Sequence, residues 1–227
     1  ISDFWGVPMD ADHSTRSYRP VVGSTYFITA KIFGFEPRPF HITDILIHAG
    51  VSVLLVLLIA AVIPGGRWAV PLGALFAVHP VLSEAVCSVV GRADMLCAAA
   101  IIAALLLHMK AEKVARPWLF ESLVLLMAAA AMLSKEYGVA APFILVAFDA
   151  ARFYSGRVEK DSLRRLIAVW VGGFILLAAY MGLRYALSGA IGGVPMITAG
   201  DMPLFGESLA VRWGTAAWLL VVSLRLV

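Results

Sequence analysis

Two short charged stretches hold most of the chemical capacity of this sequence. The first runs His79-Pro80-Val81-Leu82-Ser83-Glu84-Ala85-Val86 and resumes as Val89-Val90-Gly91-Arg92-Ala93-Asp94. The second is Ser134-Lys135-Glu136-Tyr137-Gly138. Both interrupt apolar runs, and ionisable groups at membrane depth are expensive enough to mark a functional cavity by default. If the first stretch is helical, Glu84 and Ser88 lie one turn apart, and Arg92 lies two turns on and about 80° round. These side chains then line one wall. Adjacent helical residues point about 100° apart, so Lys135 and Glu136 need separate partners, with Glu84, Asp94 and Arg92 as candidates. The plainer alternative has Arg92 and Asp94 capping the next helix, where the dipole favours Asp94 near the N-terminus. It accounts for Asp94 well and for Glu84 poorly. For 134–138 the corresponding alternative is a charged turn among lipid headgroups.

Acids, cations and a histidine gathered at one membrane face suit the handling of a polar headgroup carried on a lipid. Sugar transfer from a lipid-linked phosphate needs a carboxylate to take the acceptor's proton as its oxygen attacks C1. It also needs cations to stabilise the departing phosphate, which arginine does bidentately. Glu84 and Asp94 are therefore the candidate catalytic residues, and Arg19, His79, Arg92, Lys135 and Glu136 the candidate donor- and phosphate-binding residues. A transporter uses the same residue types as a gated binding site. A non-catalytic carrier or flippase for a lipid-linked sugar stays open as the alternative, and so does a structural scaffold.

Two compact mixtures of charge and aromatic ring, Asp3-Phe4-Trp5-Gly6 and Ser17-Tyr18-Arg19-Pro20, suit a sugar or a phosphate. They equally suit a loop lying on the interface, where Trp and Tyr are enriched. The sequence has no HExxH, GxSxG, Walker loop or GxGxxG, so metal hydrolysis, serine acyl transfer and nucleotide binding have no carrier. No cofactor and no metal site are expected. Cys87 and Cys97 are too far apart for a CxxC site and read as small buried residues. His48 reads as a packed, hydrogen-bonded histidine, and His108, beside Lys110, as interfacial.

What must position these groups is a set of membrane helices. The chain is 61 % hydrophobic and 15 % charged, with a mean hydropathy of +0.89. A soluble domain carries roughly 45–50 % apolar and 25 % charged residues, so the excess has no use in water. The net charge of +3 comes from scattered bases and does not suggest nucleic acid. A crossing needs roughly 20 mainly apolar residues. About seven stretches qualify or nearly do, at 42–62, 68–82, 93–110, 118–134, 138–151, 166–185 and 208–227. The segment 1–41 reads as a water-exposed loop with an interfacial helix near Thr25–Phe35, and 42–227 as the helical membrane domain. The chain starts at Ile1 without Met and stops inside an apolar run, which reads as a fragment, and no cleavable signal peptide is visible.

Seven spans sort the connections onto two sides. Lys and Arg divide nine against eight, with Arg225 left over, so the positive-inside rule discriminates weakly. The five bases of Arg152–Arg165 make that loop the best cytoplasmic candidate. Ten of the fifteen acids fall on the other side, the side of both charged stretches.

The motifs, in order, resemble those of the transmembrane and tetratricopeptide-repeat-containing O-mannosyltransferases. Asp3-Phe4-Trp5-Gly6 with Ser17-Tyr18-Arg19-Pro20 is similar to the start of that family. The His79-to-Asp94 block is similar to its most distinctive membrane motif, Leu133-Ser134-Lys135-Glu136-Tyr137-Gly138-Val139 to its next, and Asp201-Met202-Pro203 to a later loop signature. The resemblance implies an all-α, multi-pass transmembrane bundle of the GT-C type in the endoplasmic reticulum membrane, with its active site facing the lumen. It implies mannose transfer from dolichyl-phosphate mannose to Ser or Thr of secretory-pathway proteins, cadherins among them in animals. It also implies a first span with paired acids upstream of Ile1, and C-terminal repeats beyond Val227. In GT-C enzymes an acid of that first loop is the usual base.

Overall fold

Proline opens many of the long helices, because its missing N–H is not needed in a first turn and its φ is already helical. Pro20 starts α1 (Pro20–Phe33), Pro37 starts α2 (Pro37–Val62) and Pro117 starts α6 (Pro117–Ser134), while Pro142 lies in the first turn of α7 (Ala141–Tyr154). The remaining helices are α3 (Ala69–Val78), α4 (Ser83–Cys87), α5 (Arg92–Ala111), α8 (Leu163–Ser188) and α9 (Leu209–Arg225). Short 3-10 turns at Pro80–Leu82, Val89–Gly91 and Glu136–Ala140 join some of them. The computed structural model describes residues 17–157, 163–188 and 208–225. Asp3-Phe4-Trp5-Gly6 and Asp201-Met202-Pro203 lie outside them.

The fold is all-α and multi-pass, as the composition requires. Among the described residues, four helical stretches are long and apolar enough to cross a membrane: Pro37–Val62, Val89–Ala111, Pro117–Ser134 and Leu163–Leu187. A fifth crossing arises if Ala69–Val78 and Pro80–Cys87, bent by 52°, act as one broken span. Among the described residues all seven apolar stretches fall on helices, but three of those helices are short, α3 having only 10 residues. The α7 helix has 14 residues because its first turns are spent on the 3-10 segment before it, and α9 has 17. At about 1.5 Å per residue, α7 reaches roughly 21 Å, less than a hydrocarbon core of about 30 Å. The helix expected near Thr25–Phe35 is α1, which begins five residues earlier, at Pro20.

The described residues between 18 and 188 form one unit, within which α5 packs on α6 and α2, α3 on α2, and α8 on α6 and α7. Ala104, Leu105, Val124, Leu145 and Val169 make its core. Cys97, Ala100 and Ala131 are small enough to let α5 and α6 approach closely, as membrane helices do. Cys97 is buried as expected, whereas Cys87 is exposed. Large apolar side chains such as Leu46, Val53, Leu126 and Ile175 point outward, which suits a lipid solvent. The second unit contains α9, which exposes Trp213 and Trp218.

Gly138 is where this packing is least forgiving. A Cβ there would lie 2.2 Å from the carbonyl carbon and oxygen of Ala131, both backbone atoms of α6. Gly138→Ala is expected to destabilise the protein by about 1–3 kcal/mol through overpacking. Gly182→Ala, where a Cβ meets nothing within 4 Å, is the matched comparison. Thermal unfolding of the two purified variants in detergent checks the difference.

Candidate functional site

The first charged stretch is a chain of short turns rather than one helix. His79 is extended (φ −66°, ψ 124°), and Pro80 starts a 3-10 turn that Val81 N–H caps by donating to His79 Nδ1 at 3.3 Å. Ser83 Oγ donates to the Pro80 carbonyl at 2.6 Å, and α4 runs only to Cys87. The backbone extends again at Ser88 before α5 begins at Arg92. This break decides where each side chain goes. Glu84 and Ser88 stay on one wall, but Arg92 turns away from it into the protein.

Glu84, Ser88, Asp94, Lys135 and Tyr137 line one cavity of about 370 Å³. The two charged stretches therefore meet, and of the candidate partners Asp94 is the one that Lys135 takes. Asp94 sits in the first turn of α5, where the helix dipole favours a carboxylate. Lys135 ends α6 in an extended conformation, and its Nζ lies 2.5 Å from Asp94 Oδ1 and 5.0 Å from the Tyr137 ring centre. Glu84 is exposed, and its carboxylate has no hydrogen bond or ion pair among the described residues. The cavity thus holds one engaged carboxylate and one open to a ligand.

Glu136 points elsewhere. Arg19 grips it from Nε at 3.3 Å and Nη2 at 2.8 Å, and Arg184 Nη1 lies 3.8 Å away. Arg184 also donates to Tyr180 Oη at 3.2 Å. Tyr180, with Met132, Leu133, Leu176, Ala179 and Leu183, lines an apolar groove of about 190 Å³ between α6 and α8. Lys135 and Glu136 are neighbours in the chain, so the polar cavity and this groove adjoin at the end of α6. His79 is placed apart from Glu84 and Asp94, in an apolar recess with Leu72, Leu75, Phe76 and Val81.

Arg92 is fully buried and does not line the cavity. Its Nε donates to Asp44 Oδ1 at 2.5 Å and its Nη2 to the Phe40 carbonyl at 3.1 Å. Its Nη1 reaches the Thr25 and Thr29 hydroxyls at 3.4 Å each, and the Tyr26 ring stacks 4.4 Å from the guanidinium. All three nitrogens are engaged by α1 and α2, so Arg92 fastens α5 to those helices. Tyr26 in turn donates its hydroxyl to the Val89 carbonyl, and desolvation pushes that phenol up to about 12. It remains a donor at any physiological pH.

A second polar network, at the other end of the bundle, escaped the sequence reading. His108 is fully buried rather than interfacial, with Nδ1 3.0 Å from Glu121 Oε2 and Nε2 3.0 Å from Asp149. Trp170 Nε1 also donates to Asp149 at 2.9 Å, Arg165 pairs with Glu121 and Glu112, and Arg152 with Glu112. A neutral imidazole has only one N–H, so a ring facing two carboxylates must donate from both nitrogens, or one acid must carry a proton. The signal was present as Glu112, Glu121, Asp149, Arg152 and Arg165, scattered over separate apolar stretches and the loops between them. Nothing in linear spacing showed that four helices bring them together.

The chain is 36 % identical over 189 residues to "Protein O-mannosyl-transferase Tmtc2" of Drosophila melanogaster, a match covering 80 % of this chain and 20 % of that protein. It is 31 % identical to human "Protein O-mannosyl-transferase TMTC4", over 96 % of this chain and 35 % of the relative. Human "Protein O-mannosyl-transferase TMTC3" is 34 % identical over 61 % of this chain and 15 % of its own length. The chain belongs to the TMTC family. It spans between 15 % and 35 % of the length of these relatives. No family model matches the chain. No solved structure matches it either. Family membership agrees with the motif resemblance.

Proposed function

We propose that this chain is the membrane portion of a protein O-mannosyltransferase of the endoplasmic reticulum, built on a GT-C type bundle with its polar cavity facing the lumen. It moves mannose from dolichyl-phosphate mannose to Ser or Thr of secretory-pathway proteins, cadherin-like acceptors among them. The observation that carries the reading is the cavity itself: an unengaged Glu84 opposite the Lys135–Asp94 pair, beside an apolar groove.

In this reading the acceptor hydroxyl gives its proton to Glu84 as its oxygen forms a bond to mannose C1. The bond from C1 to the phosphate oxygen breaks, and dolichyl phosphate leaves with the electron pair. Lys135 neutralises the charge that gathers on the phosphate, and Asp94 is a positioning residue that holds the ammonium in place. The dolichyl chain lies along the α6–α8 groove, with Arg19, Glu136 and Arg184 fixing the end of α6 beside it.

Full-length protein in proteoliposomes, given labelled dolichyl-phosphate mannose and an acceptor peptide, tests this. Transfer of label to peptide is expected, and Lys135→Met is expected to lower kcat/KM by roughly 10- to 100-fold, the value of a charge-assisted hydrogen bond. Movement of the lipid across the bilayer with no labelled peptide would overturn the enzyme reading in favour of a carrier.

A further inference from the structure

The end of the bundle opposite the polar cavity carries a second recess, which the transfer reaction does not use. It measures about 210 Å³ and lies between the C-terminal ends of α2, α5 and α7. Ala61, Val62 and Met109 form an apolar side, and Lys113, Arg152 and Arg157 a cationic one, with Glu112 between them. We propose that this recess binds the anionic headgroup of a membrane phospholipid.

The charge balance argues for an anionic ligand. Glu112, Glu121 and Asp149 are faced by Arg152, Arg165 and His108, so that network is neutral when the imidazole donates from both nitrogens. Lys113 and Arg157 stand outside it, exposed and with no acidic partner among the described residues. Among the described residues that line it, they leave the recess with a surplus of two positive charges. Arg157 is also held in place: Gly156 takes a left-handed turn (φ 68°), Arg157 N–H donates to the Arg152 carbonyl at 2.9 Å, and Nη1 donates to the Val62 carbonyl at 2.6 Å. A guanidinium fixed at one nitrogen and open at the others is set to receive a phosphate.

Depth argues for a lipid as the source of that phosphate. The candidate spans of α2 and α5 end at Val62 and Ala111, so the recess sits where hydrocarbon gives way to headgroups. Its apolar side suits the glycerol and first methylenes of a lipid, and basic recesses between spans at this level bind acidic headgroups. Arg152, in the last turn of α7, and Arg157 just after it belong to the segment Arg152–Arg165, the best cytoplasmic candidate by its base content.

The test is native mass spectrometry of the purified full-length protein after equilibration with equal amounts of phosphatidylglycerol and phosphatidylcholine. Preferential retention of phosphatidylglycerol is expected. Lys113→Gln should weaken it about fivefold, and the Lys113→Gln/Arg157→Gln double variant by roughly 20-fold or more, at about a factor of five per charge. Lys113→Gln leaves the Arg157–Val62 bond intact, so its loss of lipid cannot be ascribed to unfolding of the turn. Lys31→Gln, an exposed base on α1, should behave as the parent protein. Equal retention of the two lipids by the parent protein, or undiminished retention by the double variant, would overturn the proposal. Displacement of the retained lipid by millimolar inorganic phosphate would mark a site for free phosphate and overturn the lipid assignment.

Discussion

Glu84→Gln is expected to lower mannose transfer by about 10²- to 10⁴-fold, the contribution of a positioned general base. The amide matches the carboxylate in shape and cannot accept the acceptor's proton. Because the Glu84 carboxylate makes no hydrogen bond or ion pair among the described residues, its replacement breaks no side-chain bond, and the Ser88 N–H still donates to the backbone carbonyl at 84. Insertion and thermal stability should therefore be unchanged, and the loss should fall on kcat. Asp94→Asn is the instructive contrast. It releases Lys135 from its partner, so the grip on the donor phosphate and the rate should fall together. Mass spectrometry of an acceptor peptide, incubated with full-length protein and dolichyl-phosphate mannose, reads both. Transfer at the parental rate by Glu84→Gln would remove this residue from the reaction and move the base to another acid.

Arg92→Ala should be the most damaging substitution for the fold. The Arg92–Asp44 pair is completely buried, and removing one partner of such a pair costs about 3–5 kcal/mol because the other charge is left without compensation. Arg92 also satisfies the Phe40 carbonyl and approaches two threonine hydroxyls, so Arg92→Lys, with a single ammonium, should recover little. Replacing both members, as Asp44→Asn with Arg92→Met, should restore part of the loss by removing both charges. Thermal unfolding in detergent and the steady-state level in cells measure these effects. The alternative role, a direct grip on the donor phosphate, predicts the reverse pattern: transfer lost at unchanged stability. Burial and saturation of all three guanidinium nitrogens by α1 and α2 favour the structural role.

Much of the site was legible because membrane burial makes charge conspicuous. Glu84, Asp94 and Lys135 stood out against apolar runs, and the energetic cost of placing them there justified looking for a cavity. The structure brings these three together. Arg92 was conspicuous for the same reason but has a different job, and the sequence held no sign of the difference. A helical projection carried through Ser88 put Arg92 near Glu84, while the actual helix breaks at Ser88, where the backbone is extended. The partner that captures Arg92, Asp44, lies 48 residues upstream, near the start of the first apolar stretch. Only side-chain packing between α2 and α5 makes that pairing visible.

The other end of the bundle shows the same limit. His108, Glu121 and Asp149 each look like a lone polar residue near a helix end, and each alone is well explained as interfacial. Their convergence depends on the rotation of α5, α6 and α7 about their own axes. Composition does not fix that rotation, because lipid is as good an apolar neighbour as another helix.

The sequence by itself therefore determined the solvent, the helices, the family resemblance and the three charged groups of the cavity, since each follows from local composition or from short contiguous motifs. The tertiary structure alone decided which charges face a ligand and which face one another. That choice rests on breaks in the chain and on helix rotations that set partners dozens of residues apart. It leaves Glu84 open, engages Lys135 with Asp94, and commits Arg92 and His108 to holding the bundle together.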